Sequence, residues 1–328
     1  MHFRQWKRRE FITLLGGAAA WPSDMFAQEP GRTYRLGGLT PSPREGPHYA
    51  ALFDELQRLG FIEGQNLTID WRGYGRPDEE FPAIAVELIK ARVDVVYCAG
   101  DVAIRAAQQA TITTPILAVT DDMVRSGLVR SLAEPSGNTT GVSILGTELD
   151  GKRQDILIEA VPRLRRLVAL ADVNASTPQH LQALQDRAGA RGAELLINRI
   201  TRTEEIVPAI EAAKTSGGMA LNVLSSPLLF ANRRTIIERT ASLHLPAIYQ
   251  WAEMANEGSL IAYGPRFIQI FRDLGRRQLI KLFRGVRPAD LPVEQPTRFD
   301  LVINFRTARA IGLDVPPMLL ARADEVIE

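Results

Sequence analysis

The chain has 328 residues, of which 45% are hydrophobic and 23% are charged, a composition typical of a globular protein that buries a core. Its 39 Lys and Arg against 38 Asp and Glu leave a net charge of +1, which argues against strong electrostatic attraction to nucleic acid or to a membrane surface. The single cysteine, Cys98, excludes an internal disulfide, and four scattered histidines without an HExxH motif argue against a zinc site.

Basic residues precede a short apolar run at the beginning of the chain, in "KRREFITLLGGAAAW" (7–21). The run that begins at Phe11 is about half as long as the stretch that a membrane-spanning helix needs, so it does not predict an ordinary anchor. The order of basic, apolar and short polar segments is that of a secretory signal, with cleavage expected after Ala27. The pair Arg8 and Arg9 resembles a twin-arginine signal, and a general secretory signal is the alternative. We therefore predict an exported protein.

From Arg32 onward, short apolar runs rich in β-branched residues alternate with longer segments of helical periodicity. This rhythm is typical of parallel βαβ units. The predicted strands form two series of four: Tyr34–Leu39, Leu67–Trp71, Val93–Tyr97 and Ile116–Val119, then Leu167–Ala171, Glu194–Ile197, Met219–Val223 and Ala247–Tyr249. Without a signal at 1–27, about 300 residues remain, which is more than one growing core accommodates and suits two lobes.

A connection rich in Gly, Ser, Asn and Thr, residues 134–151, separates the two series, and Val142–Leu145 within it is interpreted as a hinge strand. After the second series come a predicted strand at 258–264, a long helix at 266–285, and a strand plus helix at 299–313. These elements predict that the chain crosses back to the N-lobe and then returns. The expected division is 32–138 plus 252–290 for the N-lobe and 139–251 plus 291–328 for the C-lobe.

Polar loops follow the predicted strands. In doubly wound sheets, ligands bind beside the loops that leave the carboxyl ends of the strands. Six such loops carry Ser, Thr, Asp or Asn: 40–46, 99–103, 120–127, 172–178, 224–228 and 250–258. Any single one of these residues could simply cap the following helix. Six polar loops facing one cleft are better explained by a ligand, because helix N-termini also offer N–H groups to a carboxylate.

The motifs of common enzyme classes are absent from the sequence. Gly37 and Gly38 are not followed by a dinucleotide-binding or phosphate-binding glycine pattern, and no G-x-S-x-G elbow supports a serine hydrolase. Cys98 follows a predicted strand, where a nucleophile could lie, but a small buried thiol is the commoner role. Asp121 and Asp122 lack a third acidic ligand nearby and are interpreted as a helix cap and its solvated neighbour. We therefore predict no enzyme activity, no cofactor and no metal.

Trp251 lies at the carboxyl end of the predicted strand Ala247–Tyr249. An indole at this position could stack on a ligand. Packing against the hinge is the alternative, and the sequence leaves both roles open.

Longer motifs spread over the whole chain resemble one protein family. They are "RREFITLLGGAAAWP" (8–22), "LQRLGFIEGQN" (56–66), "SLAEPSGNTTG" (131–141), "LPAIY" (245–249), "LPVEQPTRFDLVINFRTARAIGL" (291–313) and "LLARADEVIE" (319–328). Together they resemble the ABC-transporter substrate-binding proteins of the tryptophan/tyrosine-uptake-like group. The resemblance implies an α/β fold of the type I periplasmic-binding-protein class, with two Rossmann-like lobes joined by a three-crossover hinge and a ligand trapped between them.

The same resemblance implies nine ligand-binding residues in the cleft loops. They are Ser42, Asp101, Thr120, Asp121, Asn174, Ser176, Ser225, Ser226 and Trp251. Met123 stands beside the cleft where many relatives have Pro, and Glu134 and Ser136 stand where Arg and Gly are frequent. Because the first of these departures lies beside the cleft, the resemblance does not transfer the identity of the ligand.

The implied function is that of a periplasmic receptor without catalysis. Such a receptor closes on a small polar or amino-acid-like solute and delivers it to an ABC permease. Its other partner would be the export machinery, with no role for nucleic acid or stable membrane insertion. A ligand sensor for a signalling partner and an exported hydrolase are the alternatives.

Overall fold

The computed structural model of the protein describes residues 31–328. The predicted export signal, with Arg8, Arg9 and cleavage near Ala27, lies outside the described residues. Residues Tyr34–Glu328 belong to one unit built around two β-sheets with helices packed on them. Across the described part of the chain, no helix is both long enough and apolar enough to cross a membrane.

A five-stranded parallel sheet forms the first lobe. Its strands are β1 (Tyr34–Leu39), β2 (Leu67–Asp70), β3 (Val95–Ala99), β4 (Ile116–Thr120) and β5 (Thr139–Ser143), and its helices are α1 (Pro47–Arg58), α2 (Phe81–Lys90) and α3 (Asp101–Ala110). The strand order is β2-β1-β3-β4-β5, and a 3-10 turn, Asp78–Glu80, precedes α2. The middle strands β3 and β4 are buried along almost their whole length because helices cover both faces, which explains their continuous apolar sequence.

The second lobe begins with a similar alternation. Its first strands are β6 (Arg166–Asp172), β7 (Glu194–Ile200), β8 (Ala220–Val223), β9 (Ala247–Tyr249) and β10 (Ile261–Gly264), and its helices are α4 (Gly146–Ala160), α5 (Pro178–Ala190), α6 (Ile206–Thr215), α7 (Pro227–Ala231) and α8 (Arg233–Ser242). Two 3-10 segments, Thr203–Glu205 and Ala252–Ala255, lie among them. The strand pairs in this part of the sheet are all parallel.

The chain crosses between the lobes three times within residues 31–328. The first passage joins β5 to α4, the second leaves β10, and the third follows residue 294. Between the second and third passages lie α9 (Phe267–Asp273), a π-helical segment (Leu274–Leu279), α10 (Ile280–Phe283) and a 3-10 turn (Pro288–Asp290). Helix α9 and the π-helical segment pack against α1, which fixes this stretch to the first lobe. These passages confirm the predicted three-crossover hinge.

The end of the chain completes the second sheet. It supplies β11 (Asp300–Asn304), α11 (Phe305–Ala310), α12 (Pro317–Leu320) and β12 (Glu325–Ile327). The seven strands lie in the order β12-β11-β10-β9-β8-β6-β7, and the pair β10 and β11 is antiparallel. The predicted strand plus helix at 299–313 is therefore present, whereas α12 and β12 were not predicted. Strand β12 has only three residues, too few for an alternating pattern to stand out.

Helices at the cleft begin where the sequence supplies a start signal. Pro178 and Pro227 occupy the first positions of α5 and α7, where a missing N–H costs nothing because it would have no helical partner. The preceding Thr177 and Ser226 each accept a hydrogen bond, 3.2 Å long, from the N–H three residues further on. These caps place both helix N-termini beside the carboxyl ends of the strands.

Two strands pair differently from the expected lobe division. Strand β5, expected within 139–251 of the C-lobe, pairs with β4 at the edge of the first sheet. The predicted hinge strand Val142–Leu145 therefore begins inside this edge strand, which ends at Ser143. Strand β10, expected within 252–290 of the N-lobe, pairs with β9 and β11 in the second sheet. Composition identifies a turn-rich connection. It does not show which sheet the strand beside that connection joins, because pairing depends on which sheet edge has unpaired backbone groups. All eight strands of the two predicted series are present, with ends shifted by up to three residues.

Candidate functional site

A cavity of about 540 Å³ is lined by the strand-end loops of both lobes. It receives side chains from the loops after β1, β3 and β4 in the first lobe and after β6, β8 and β9 in the second. All nine predicted residues line it: Ser42, Asp101, Thr120, Asp121, Asn174, Ser176, Ser225, Ser226 and Trp251. The structure thus brings together residues more than two hundred positions apart, while their role in binding stays a prediction.

On the first lobe, two predicted residues form one hydrogen-bonded unit. The Thr120 hydroxyl donates to the Asp101 carboxylate at 2.5 Å, at the N-terminus of α3. Ser42 follows β1 and is buried, and its N–H donates to the Thr40 hydroxyl at 3.1 Å. These hydrogen bonds hold the side chains of Asp101 and Thr120 and the backbone of Ser42 in place at the wall of the cavity.

The neighbouring carboxylates Asp121 and Asp122 both cap backbone N–H groups. Asp121 accepts hydrogen bonds from the Thr147 N–H at 2.8 Å and from the Thr147 hydroxyl, and so caps α4 from the other lobe. Asp122 accepts from the N–H groups of Val124 and Arg125 at 3.1 and 3.0 Å. Burial raises the pKa of Asp121, and the hydrogen bonds from Thr147 offset part of that rise. Asp122 is thus more than the solvated neighbour that the sequence analysis assigned.

On the second lobe, Asp172 links three predicted residues. Its carboxylate accepts from the Ser226 hydroxyl at 2.6 Å and from the Asn174 N–H at 2.9 Å, and its carbonyl accepts from the Ser176 N–H at 3.0 Å. Asp172 is 4% exposed, and burial raises its pKa despite these hydrogen bonds. Asp172 is the first residue of the polar loop 172–178, so its position in that loop was a signal from which the sequence could have identified it as a site residue.

Ser225 is held by a buried guanidinium. Arg153 on α4 donates to the Ser225 hydroxyl at 2.7 Å and pairs with the Asp150 carboxylate. It also donates to the carbonyls of Gly146 at 2.6 Å and Tyr263 at 3.1 Å. Gly146 follows the first passage between the lobes and Tyr263 precedes the second, so Arg153 connects the cavity wall to both. A charged residue in the middle of a helix usually faces solvent, which is why the sequence pointed to no such role.

Aromatic rings from both lobes line part of the cavity. The Trp251 ring lies 4.2 Å from that of Phe267 and 6.2 Å from that of Phe230, and the His48 ring lies 5.4 Å from Phe230. Trp251 therefore both packs on a neighbour and lines the cavity, so the two alternatives are not exclusive. Burial and then the charge of Arg233 lower the pKa of His48 to about 3, which keeps its imidazole neutral at neutral pH.

Two buried nitrogens at this aromatic wall lack hydrogen-bond partners among residues 31–328. They are Nε1 of Trp251 and Nδ1 of His48, on side chains that are 5% and 2% exposed. A buried polar group without a partner costs about 1–3 kcal/mol. Polar atoms of a ligand could satisfy these groups.

Charged groups of both signs line the same cavity. Arg105 and Arg125 come from the first lobe, and neither forms an ion pair within the described part of the chain. The carboxylate of Asp78 has its pKa raised to about 6, first by burial and then by the charges of Asp172 and Glu79. The arrangement suits a small solute that carries charges as well as an apolar body.

Sequence reasoning missed several cavity residues. Among those that lie outside the six polar loops are His48 and Tyr49 on α1, Asp78 before α2, Arg105 on α3, His180 on α5, Phe230 on α7 and Phe267 on α9. Most sit inside helices, where an aromatic or basic residue reads as ordinary core or surface. Cys98 does not line the cavity; it is fully buried, and burial raises the pKa of its thiol.

One protein family matches most of this chain. The sequence model of the family described as "ABC transporter substrate binding protein" matches residues 47–327. A relative named "Tyrosine-binding protein" from Clostridioides difficile (strain R20291) is 24% identical over 264 residues, which cover 79% of this chain and 74% of the relative.

Two solved structures superpose on most of the chain. A conserved domain protein from Vibrio cholerae has a TM-score of 0.79 and 21% identity, and the match covers 90% of this chain and 99% of that one. An ABC domain from Streptococcus pneumonia in complex with L-Trp has a TM-score of 0.77 and 21% identity, covering 90% and 100% of the two chains. These likenesses confirm the predicted fold class of two α/β lobes.

Proposed function

Because the chain belongs to the ABC transporter substrate-binding protein family, with the type I periplasmic-binding-protein fold, we propose that it is an exported receptor for an amino-acid-like solute. The observation that carries this proposal is the cavity of about 540 Å³ to which both lobes contribute polar, charged and aromatic side chains. A ligand shifts an equilibrium between open and closed forms only by contacts that differ between them. A solute that touches both lobes makes such contacts, and the closed complex would then be delivered to an ABC permease.

Aromatic amino acids are the solute class that the cavity suits best. Its volume lies within the roughly 300–1,000 Å³ typical of small-molecule sites. The rings of Phe230, Trp251 and Phe267 provide surfaces for an aromatic side chain, and the carboxylates and guanidinium groups nearby provide partners for a zwitterion. The names of the relatives, one binding tyrosine and one in complex with L-Trp, make these two amino acids the first candidates.

The proposed receptor leaves its solute chemically unchanged. Cys98, for which the sequence favoured a buried thiol over a nucleophile, is fully buried away from the cavity, and burial raises its pKa so that the thiol stays protonated. The carboxylates of Asp121 and Asp122 both accept hydrogen bonds from backbone N–H groups. Both observations favour binding over hydrolysis.

A thermal-shift screen tests the proposed function. Purified protein is heated with each of the amino acids, aromatic acids, purines and short carboxylates, and the solute is recovered and analysed by chromatography. A bound ligand present at 100 times its Kd stabilises the folded protein by about 2.7 kcal/mol, so an aromatic amino acid should raise Tm and be recovered intact. A screen in which no amino acid raises Tm, or in which the solute is converted, would contradict the proposal.

Export by the twin-arginine route to the periplasm is part of the same proposal. Replacing Arg8 and Arg9 together by Lys should leave the precursor in the cytoplasm, as measured by cell fractionation. Replacement of Arg4 by Lys, outside the pair, is the control and should not affect export. Unimpaired export of the double variant would contradict the twin-arginine hypothesis and point to the general secretory route.

A further inference from the structure

Two carboxylates approach the cavity from different lobes. Asp78 lies in the 3-10 turn before α2 of the first lobe, and Asp172 ends β6 of the second. Asp172 is oriented by the Ser226 hydroxyl and the Asn174 N–H. Asp78 is half-buried, and within residues 31–328 its carboxylate has no hydrogen-bond or ion-pair partner. A charged group in this situation is costly unless something else in the cavity compensates it.

The charges around these two groups do not compensate them. Burial and then the charges of Asp172 and Glu79 raise the pKa of Asp78, so the charge of Asp172 opposes the ionisation of Asp78 across the cleft. Arg76, the basic residue just before this turn, forms an ion pair with Glu80 at 3.7 Å and not with Asp78. The other ionisable side chains that line the cavity are His48, Asp101, Asp121, Asp122, Arg105, Arg125 and His180, together with Tyr49 and Tyr97, whose pKa values burial raises. Within the described residues none of the basic ones pairs with Asp78 or Asp172.

We propose that Asp78 of the first lobe and Asp172 of the second form a carboxylate clamp that binds the ammonium group of the solute from both sides. This inference rests on the proposed function and names the charge of the solute that drives closure. A second feature of the cavity also points to a ligand: the almost completely buried Trp251 and His48 each carry a nitrogen without a partner in the described part of the chain. In this arrangement the ammonium group of the solute lies between Asp78 and Asp172, and its aromatic side chain packs against the ring of Trp251.

The clamp gives the cation a specific role in closing the protein. When the lobes are together and the cavity is empty, the two carboxylates repel each other with little water to screen them. A cation placed between them attracts both carboxylates, so the net electrostatic interaction becomes favourable, and the cation contacts both lobes at once. The same pair therefore opposes closure of the empty receptor and favours closure of the loaded one. A solute without a cation leaves the repulsion in place.

Matched solutes measure the role of the ammonium. Isothermal titration compares L-tyrosine with 3-(4-hydroxyphenyl)propanoate and L-tryptophan with 3-(indol-3-yl)propanoate, pairs that differ in the amino group. The wild-type protein should bind each amino acid at least tenfold more tightly than its deaminated partner. Asp78→Asn should reduce that ratio at least fivefold, while Glu79→Gln, which removes a neighbouring charge that does not line the cavity, should keep it. Circular dichroism and Tm confirm that each variant is folded.

The clamp also predicts a pH dependence with a defined sign. Burial and the charges of Asp172 and Glu79 raise the pKa of Asp78 to about 6, so lowering the pH from 7.5 to 5 protonates it and should weaken amino-acid binding severalfold. The deaminated solutes should not weaken in this way. Asp78→Asn should reduce the dependence, and what remains belongs to Asp172 and Asp121, whose pKa values burial also raises. Without any ligand, small-angle scattering should find Asp78→Asn more compact than the wild type at pH 7.5 and equal to it at pH 5.

The outcomes separate this inference from the proposed function. If deaminated acids bind as tightly as the amino acids, or if Asp78→Asn keeps the wild-type ratio, the receptor stands and the clamp is wrong. If only solutes without an amino group raise Tm, the clamp is wrong and the amino-acid class of the proposed function is wrong with it. If no solute binds and scattering shows no difference between Asp78→Asn and the wild type, both proposals fall.

Discussion

Replacing Arg153 by Met should destabilise the protein strongly, because its guanidinium is fully buried. The substitution keeps a long apolar side chain and removes four hydrogen bonds, to Asp150, to the Ser225 hydroxyl and to two carbonyls beside the interlobe passages. The Asp150 carboxylate, itself 0% exposed, would retain His180 at 3.1 Å and weaker contacts with Ser225 at 3.3 and 3.5 Å. Breaking a buried ion pair by removing one partner costs about 3–5 kcal/mol.

The assay is equilibrium urea unfolding at pH 7, with Tm as a second readout. A loss of 1 kcal/mol lowers Tm by roughly 2–4 °C in chains of 150–250 residues, so Arg153→Met should lower Tm by about 6–20 °C. Arg322→Met is the control, because Arg322 forms an ion pair with Glu159, at 2.8 Å, on the surface. That exposed pair should contribute less than about 1 kcal/mol.

A double substitution shows whether the loss comes from the stranded charge. Asp150→Leu combined with Arg153→Met removes both partners, and replacing a buried pair by apolar groups is often nearly neutral. The double variant should therefore lose less stability than the sum of the two single variants. The reasoning is refuted if Arg153→Met costs no more than Arg322→Met, or if the two single losses add.

Two further substitutions address acid stability and closure. Although burial opposes it, hydrogen bonds from Arg266 and Arg298, at 2.7 and 2.9 Å, hold the pKa of Asp300 below its usual range. This stabilisation is present above about pH 4 and is lost as the pH falls through the folded-state pKa of Asp300. Asp300→Asn should therefore lower the free energy of unfolding by about 1–2 kcal/mol at pH 7 and by less at pH 2.5, as measured by urea titration. An equal loss at both pH values would contradict the assignment. Gly100 has φ of +90°, and an added Cβ would lie 2.9 Å from Pro227 of the other lobe, so Gly100→Ala should weaken solute binding at least tenfold. Gly127→Ala, with φ of +66° and no atom within 4 Å of the added Cβ, carries the same backbone cost of about 1–2 kcal/mol and should bind normally; equal affinities would refute the steric argument.

The fold could be predicted to a large extent because its signals are local. Buried parallel strands need continuous apolar runs, and those runs predicted β1 to β4 and β6 to β9 with small errors at their ends. The long helix predicted at 266–285 is present as α9 and α10, but the π-helical turn between them has no sequence signature in this chain. The strands β5 and β10 could be placed in the chain but not in the correct sheet, because pairing depends on which edge is free.

The candidate site was predictable in its loops and not in its helices. Parallel strands bring their carboxyl ends to one edge, so polar residues after those strands, such as Thr120 and Ser226, could be placed beside a common cavity from sequence alone. Helical residues such as His48 and Phe267 reach the same cavity only because α1 and α9 pack together across a gap of more than two hundred residues. No local pattern reports such a contact.

The sequence by itself thus determined the alternation of strands and helices, the two-lobed α/β class and the polar loops at the strand ends, since each follows from short-range periodicity and residue type. Only the tertiary structure decided that Arg153 is a buried connector rather than a surface cation, and that Asp78 faces a cavity shared with Asp172. Burial and charge environment depend on the partners that the fold brings near. A residue's type limits what it can do, and its neighbours in space select which of those roles it has.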